Sequence, residues 1–492
     1  MLDHVQCDNN DEKTLSADIG VDNGQQVEST HECKMIYDNP IIRVVYKKSP
    51  VAMQNLMFTT YGFLKWKERK GRLFQEYAKS LDETQWQTRE QLEMLQNQKL
   101  GKLIKHAYEN VPYYRKVFKE RNLKPEDIKT KEDLKKLPYL TKEVIRANFK
   151  ELTAKNIPPG SYVKVRTSGT SGMPMEYLTD KERVVLSRAV QLRQWGWSGF
   201  KPGESLGFLT GWVIQPPDKN KKPFWRTNFF ENITYYSSFH ISENTVKDYF
   251  KEMVEKETRF LYAWPSSIYA LSYLMKKQNL KLPLKAVFTT AETLLSEQRK
   301  LIEEVFECKV LDIYGQIERA SRAGECPQGG YHIDSEYCII QVENREIIST
   351  ALTDYVMPLI RYKTGDVGEL SGKECGCGRG LPLLKSIEGR LDDFIVTPEG
   401  NLVSSTNFTF MGLKKIKYIQ VFQEEKSSIT AKVVKEGDYS KTDEEFMLAR
   451  MRERLGNTLK IKVEYASEPV RSRGGKIKVV SSTISAKEFE DG

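Results

Sequence analysis

Three stretches of this 492-residue chain hold side chains of types and spacings that could do chemistry. The first is Thr167-Ser168-Gly169-Thr170-Ser171-Gly172-Met173-Pro174. Two glycines allow a tight bend with backbone N–H groups turned inward, and four hydroxyls add donors, so the loop could wrap phosphate oxygens. No Gly-Lys-Ser/Thr follows, so it is not a Walker loop, and a Ser/Thr/Gly run taken alone also reads as a plain flexible turn. The second is a set of soft ligands: Cys326 and His332 in ECPQGGYH, and Cys375 and Cys377 flanking Gly376 in ECGCG. Three thiolates and one imidazole make a closed tetrahedral set of the structural zinc type. Against zinc, Cys-x-Cys is less usual than Cys-x-x-Cys, and His332 could be a satisfied turn histidine. The third is Arg471-Ser472-Arg473-Gly474-Gly475-Lys476-Ile477-Lys478, which by itself is a solvated hairpin. His240, in the aromatic segment TYYSSFHIS, has two readings: it lines an acyl pocket or acceptor site, or it packs in the core.

The elements that must position these residues follow from periodicity. Residues 85 to 151 read as several helices, with QLEMLQNQKLGKLIKHAYENV apolar at three- and four-residue intervals. Beyond the Ser/Thr/Gly loop, strand-like runs (SLGFLTG, RFLYAW, KAVFTTA, KVLDIYG) alternate with helical ones (SSIYALSYLMKKQ, SEQRKLIEEVF). Such alternation implies an α/β domain with mainly parallel, helix-covered sheets. From about Glu388 shorter strand patterns and one helix, near EEFMLARMRERLG, predict a small α+β domain. The expected organisation is therefore a disordered acidic tail over 1–35, a large domain over 36–388 with a helical lead-in over 36–160, and a small mobile lid over 389–492.

Composition narrows the function classes. The formal charge is +9, but residues 1 to 33 hold eight acids against Lys13 alone, a tail of −7 that leaves a body of +16. The lysines of that body are interspersed with acids, as in KEDLKKLPYLTKEVIR, and no recognition module accompanies them, which argues against nucleic acid. No apolar run is long enough for a transmembrane helix and the first thirty residues lack a secretory signal. Seven cysteines, an odd number, fit a reducing, cytoplasmic setting. Residues 49–74, SPVAMQNLMFTTYGFLKWKERKGRLF, form a basic amphipathic stretch. It could lie peripherally on the inner face of an anionic membrane, although packing on the domain body is the commoner fate of such a helix.

The loop has company in a fixed order: Ala291-Glu292-Thr293, Asp312-Ile313-Tyr314-Gly315-Gln316-Ile317-Glu318, Arg361-Tyr362-Lys363-Thr364-Gly365-Asp366, Gly389-Arg390-Leu391-Asp392-Asp393 and the Lys476 segment. Over residues 160 to 480 this series resembles the adenylate-forming superfamily. HAYENVPYYRKVF, PYLTKEVIR and CGCGRGLP are similar to its phenylacetate-CoA ligase group, while SPVAMQNLMFTTYG, KKPFWRTNFF, SSFHIS, AWPSSIYAL and GGYHID resemble the capsular polysaccharide biosynthesis (CapK-like) branch.

The resemblance implies roles for individual residues. Thr167, Ser168, Gly169, Thr170, Ser171 and Gly172 would hold the β- and γ-phosphates of ATP. Tyr314 would stack on adenine, with Glu292 and Gly315 beside the nucleotide. Glu318 would bind Mg²⁺, Asp366 would accept from the ribose hydroxyls with Arg390 close by, and Lys476 would approach the forming acyl phosphate. Asp392 would be the hinge of the small domain. Two departures stand out: Ser171 replaces the family's second loop threonine, and Met175 stands where many members carry lysine, as is usual in the phenylacetate-type relatives. The implied reaction is ATP-dependent adenylation of a carboxylic acid with release of pyrophosphate. Acyl transfer to CoA or another acceptor follows, in capsular or exopolysaccharide synthesis; the sequence leaves the oligomeric state open, a dimer being one candidate. Alternatives are phenylacetate-CoA ligation proper, an adenylyltransferase that leaves AMP on its substrate, and a non-catalytic polysaccharide assembly protein.

Overall fold

The computed structural model describes residues 40–158, 160–166, 175–216, 219–388, 394–399, 402–404, 415–470, 480–482 and 484. The acidic tail, the Ser/Thr/Gly loop, the segment with Arg390 and Asp392 and the segment with Lys476 lie outside these residues, as does the expected domain boundary at 389.

A twelve-stranded sheet organises the large domain. Its centre is five parallel strands, in the order Ile233–Tyr236, Leu206–Leu209, Phe260–Ala263, Ala286–Thr290 and Lys309–Gly315. Both faces of this run are covered, as parallel sheets require. Side chains alternate between two cores with the period of two that a strand imposes. Leu261, Ala263, Val287 and Val310 face the helices Val246–Glu255, Pro265–Lys277 and Ser296–Phe306. Phe260, Tyr262, Phe288, Leu311 and Ile313 face an aromatic layer with Trp195, Phe208, Trp212 and Tyr235. Trp195 stacks on Phe288 with ring centroids 5.4 Å apart.

From Arg322 the chain leaves the βα rhythm, and seven antiparallel pairings complete the sheet, one of them adding Trp225–Asn228 at the opposite edge. The alternation of strands and helices over 205–315 thus corresponds to the parallel centre. The antiparallel wing, from Arg322–Glu325 to Leu383–Glu388, has no helices between its strands and was not resolved by that pattern.

The helical lead-in packs on this wing. Helix Arg89–Asn110 starts at a Thr88 cap whose hydroxyl accepts from the Gln91 N–H while the Gln91 side chain accepts from the Thr88 N–H. Its buried Leu100, Leu103, Ile104 and Ala107 join Tyr114, Phe118, Leu352, Met357 and Tyr362 in one cluster. Lys142 is brought to the sheet in the same way, because Leu140 donates to the Arg361 carbonyl at 3.1 Å and accepts from the Lys363 N–H at 2.9 Å.

The C-terminal residues form a separate four-stranded sheet, ordered Lys460–Tyr465, Ser428–Lys435, Ile416–Glu425 and Val480–Ser482. Helix Lys441–Leu455 begins at a reciprocal Ser440–Asp443 cap and buries Met447, Met451 and Leu455, spaced one turn apart, against that sheet. Among the described residues no helix is long and apolar enough to cross a membrane.

Candidate active site and cysteine cluster

Two adjacent parallel strands, Ala286–Thr290 and Lys309–Gly315, end beside one another and carry the sequence-selected residues at their carboxyl ends. Open α/β sheets bind their ligands on that side. Tyr314 donates its hydroxyl to the Asp366 carboxylate at 2.9 Å, and the Gln316 amide donates to the Tyr314 oxygen at 2.5 Å and to Asp366 at 3.2 Å. Asp366 is fixed from its own strand by its N–H on the Thr364 hydroxyl, 3.1 Å, while that hydroxyl donates to the Ile347 carbonyl. Burial, then the Asp366 charge, pushes the Tyr314 phenol well above its ordinary pKa, so it stays a donor at neutral pH. The Tyr314 ring is 9% exposed, packed with Leu186 and Val190, so the expected stacking on adenine would need that ring to be uncovered.

Gly315 lies at the strand end, where an added Cβ would come 3.3 Å from the Ser321 carbonyl. Three residues on, the buried Glu318 accepts from the Tyr362 hydroxyl at 3.0 Å and faces the Lys142 ammonium at 3.6 Å. Desolvation and the neighbouring Glu318 charge raise the Tyr362 phenol far above the ordinary range. Lys142 follows Thr141, whose hydroxyl caps the short helix Lys142–Ala147 by accepting from the Val144 N–H. Tyr177, in the hairpin strand Glu176–Asp180, donates to the Ile317 carbonyl. That strand pairs with Tyr162–Arg166, which brings together the described residues that flank the Ser/Thr/Gly loop in sequence. Arg361, from the same Arg-Tyr-Lys-Thr-Gly-Asp motif, is a clamp: it grips both oxygens of Glu343 at 2.8 and 2.9 Å and covers the Tyr139 ring.

Glu292 is engaged elsewhere. Both its oxygens receive Ser266, the N–H at 2.7 Å and the hydroxyl at 2.8 Å, at the first turn of helix Pro265–Lys277. A carboxylate there satisfies free amides and complements the helix dipole. His240 is buried, stacked on Phe224 at 5.1 Å, with Nδ1 2.8 Å from the Ser237 hydroxyl. The structure thus forms two bonded sets on either side of the strand end at Gly315: Tyr314, Gln316 and Asp366 in one, and Glu318, Tyr362 and Lys142 in the other. Glu292 stands at the neighbouring strand end, and His240 is packed in the core. Lys142, Gln316 and Tyr362 join these residues without a distinguishing sequence pattern of their own, apart from the cation missing at Met175.

The four soft ligands come together across 43 residues of sequence. Their ligand atoms all lie within 4.8 Å of one another, with Cys326 and Cys375 sulfurs 3.5 Å apart and Cys377 Sγ 3.3 Å from His332 Nε2. A tetrahedron with Zn–S bonds of about 2.3 Å has ligand separations of about 3.5–3.8 Å; the closest pairs here are near that spacing and the rest lie within 4.8 Å, so small side-chain shifts would complete a site for the ion. His332 Nδ1 lies 3.4 Å from the Leu381 carbonyl, the second-sphere contact that directs Nε2 inward. Burial, the largest influence, takes the His332 pKa down to about 4, which keeps the imidazole in its neutral, ligating form. Gly330 admits this approach, since a Cβ there would sit 3.2 Å from the Cys375 sulfur.

Residues 395–483 match the CapK C-terminal domain family. Protein CapK of Staphylococcus aureus is 28% identical over 388 residues, 75% of this chain and 82% of that protein. The chain is thus similar to protein CapK and to phenylacetate-coenzyme A ligases. A phenylacetate-coenzyme A ligase of Thermus thermophilus is 25% identical over 336 residues, 63% of this chain and 72% of the ligase. The fold is shared with 2-hydroxyisobutyryl-CoA ligase in its thioesterification state, at a TM-score of 0.52 and 16% identity over 81% of this chain and 92% of that one. This chain therefore shares the fold of that ligase.

Proposed function

We propose that the protein uses ATP and Mg²⁺ to adenylate a carboxylic acid, releasing pyrophosphate, and then passes the acyl group to CoA or another acceptor in capsule or exopolysaccharide synthesis. The observation that supports this reading is the pairing of two bonded groups, Asp366 with Tyr314 and Gln316, and Glu318 with Tyr362 and Lys142, beside the carboxyl end of the strand Lys309–Gly315. Asp366 offers carboxylate oxygens to ribose hydroxyls, and Tyr314 and Gln316 hold it in place. Glu318 is a hard oxygen ligand suited to Mg²⁺, which prefers carboxylate, phosphate and water and would neutralise charge on the phosphates. Lys142 brings a cation to the same point. Lys476 is assigned to the carboxylate–phosphate junction, where a cation favours in-line displacement electrostatically. The hinge role falls to Asp392 and the phosphate grip to Thr167–Gly172. The cluster of Cys326, His332, Cys375 and Cys377 is assigned to a structural zinc ion.

The reaction is tested by pyrophosphate exchange into ATP across a panel of carboxylates. Exchange should depend on one class of acid and vanish in Lys476→Ala, while thioester formation from preformed acyl-AMP persists. Loss of both half-reactions in a folded variant sinks the assignment of Lys476. A stable AMP adduct of the substrate, seen by mass spectrometry, would replace the ligase reading with adenylyl transfer.

A further inference from the structure

Helix Val51–Arg69 is apolar on two opposite faces. One face is accounted for: Gln54, Phe58 and Tyr61 point inward, Phe58 against Tyr235 at 4.8 Å, and Gln54 hydrogen-bonded to the Tyr46 carbonyl. The other carries Met53, Leu56 and Phe63, three or seven residues apart and hence on one stripe, and these are exposed. A helix apolar all round ordinarily has both faces covered.

The stripe continues onto a second element. Helix and sheet edge are locked together at Gly62, where any Cβ would fall 2.1 Å from the Asn228 side chain. Thr227 and Phe229 donate their N–H groups to the Asn55 and Thr59 side chains, and Arg69 pairs with Glu231. The result is a rigid platform in which Phe63, Trp66 and Phe230 form a three-ring cluster, with centroids 5.2 to 5.9 Å apart. Phe229 stands beside it, and the four rings are 37% to 64% exposed. Lysines rim the rings: Lys67 lies over Phe63, Lys70 over Trp66 and Lys256 over Phe229, each within 5.6 Å of the centroid. Residues 40–73 hold eight Lys or Arg and one acid, Glu68.

We propose that this platform is the protein's docking surface for an anionic lipid bilayer, with the Phe229–Phe230 turn and the Phe63–Trp66 face entering the headgroup boundary and the flanking lysines meeting lipid phosphates. Amphipathic aromatic rings and long-stemmed lysines are the side chains that suit an interface apolar below and anionic above. The charge decides the occupant. A second copy seated on the same patch by a twofold axis would set this strongly basic segment against itself, whereas an anionic bilayer neutralises it. The surface lies outside the bonded set around Asp366, so the proposal stands whichever acid is the substrate. It places the acyl-transfer chemistry next to acceptors of the lipid-linked class.

The test is co-sedimentation of the full chain with phosphatidylcholine vesicles made with and without phosphatidylglycerol. Binding is expected only with phosphatidylglycerol, and it should weaken as salt rises from about 0.1 to 0.5 M. Phe229→Ser with Phe230→Ser should lower the bound fraction at least about tenfold, the loss expected when burial of one such side chain is removed. Melting temperature and pyrophosphate exchange should not change. Replacing both by Trp should keep binding, and Lys67→Glu with Lys70→Glu should abolish it. Equal binding by the wild-type and serine variants, or none to anionic vesicles, overturns the proposal. So does a dimer in light scattering that the serine pair converts to monomer, since the occupant would then be a second copy.

Discussion

The carboxylates selected from sequence do different work in the structure, and the difference lies in what each one faces. Asp366 is held by Tyr314 and Gln316, Glu318 by Tyr362 and Lys142, whereas Glu292 caps a helix through Ser266. Sequence order alone could not separate these cases, because a motif gives residue types and spacing but not which hydrogen-bond donors the fold turns toward them. Lys142 is the clearest addition. It lies in the PYLTKEVIR segment, 21% exposed, and the Leu140 bridge to Arg361 and Lys363 brings it to Glu318 over a sequence distance no local pattern encodes. The position after the Ser/Thr/Gly loop proline, where the resemblance leads one to expect a lysine, is Met175, wholly buried. We propose that Lys142, which faces Glu318, supplies the cation toward the nucleotide phosphates. Lys142→Ala should therefore raise the ATP concentration for half-maximal pyrophosphate exchange about tenfold, in line with about 1.5–3 kcal/mol for a hydrogen bond to a charged group. Dependence on the carboxylate should change little, and Lys142→Arg should restore part of the loss. An unchanged ATP dependence would leave Lys142 as a partner of Glu318 only.

At the scale of elements, the strands and helices between 205 and 315 were legible because each strand buries both faces and each helix one, which gives runs of distinct length and period. The antiparallel wing was less so: its strands include one of three residues, Tyr331–Ile333, and their half-exposed faces carry mixed patterns. The wing is nonetheless where the four zinc-type ligands meet, and the reason concerns packing. Arg379, just past Cys377, lies between the Trp86 and Trp197 rings and donates to Gln85, while Trp197 meets His332 edge-on at 5.4 Å. The knuckle thus fastens the wing to both the lead-in and helix Lys181–Gly196. So placed, a bound ion should stabilise the chain without entering catalysis. Elemental analysis is expected to find one zinc per chain. A strong chelator should lower the melting temperature by about 5 °C or more. His332→Ala and Cys377→Ser should lower it by a similar amount and lose the metal, with pyrophosphate exchange retained below the new transition. A metal-free preparation of unchanged stability would rule the ion out and leave four buried or half-buried side chains packed for their volume alone.

At the scale of the molecule, the question is how the small C-terminal domain is seated, since the proposed two-step chemistry needs it to change position between adenylation and transfer. The sequence marked this domain through a change of texture near Glu388, and the CapK C-terminal domain family covers 395–483. It could not show the seat, which is built from residues more than 150 positions upstream. Phe239, fully buried in the turn Ser238–His240, packs into the cluster of Ile395, Val403, Ile419 and Met447, and Arg454 donates to the Gly211 carbonyl at 3.1 Å. Among the described residues Phe239 and the Arg454 hydrogen bond, with Val213 packed beside them, are central to this seat, a suitable basis for a contact that must release. Phe239→Ala removes the ring from a buried site, a change that costs about 3–5 kcal/mol when the cavity does not close. Because the ring belongs to the large domain and its neighbours to the small one, that cost should fall on docking. Scanning calorimetry is expected to split one unfolding transition into two, the earlier assigned to residues 395–483 by limited proteolysis. If the seat is the one occupied during adenylation, pyrophosphate exchange should fall more than thioester formation from preformed acyl-AMP. The reverse ranking would assign it to the transfer pose, and a single undivided transition of lower temperature would mean that the two domains unfold as one body.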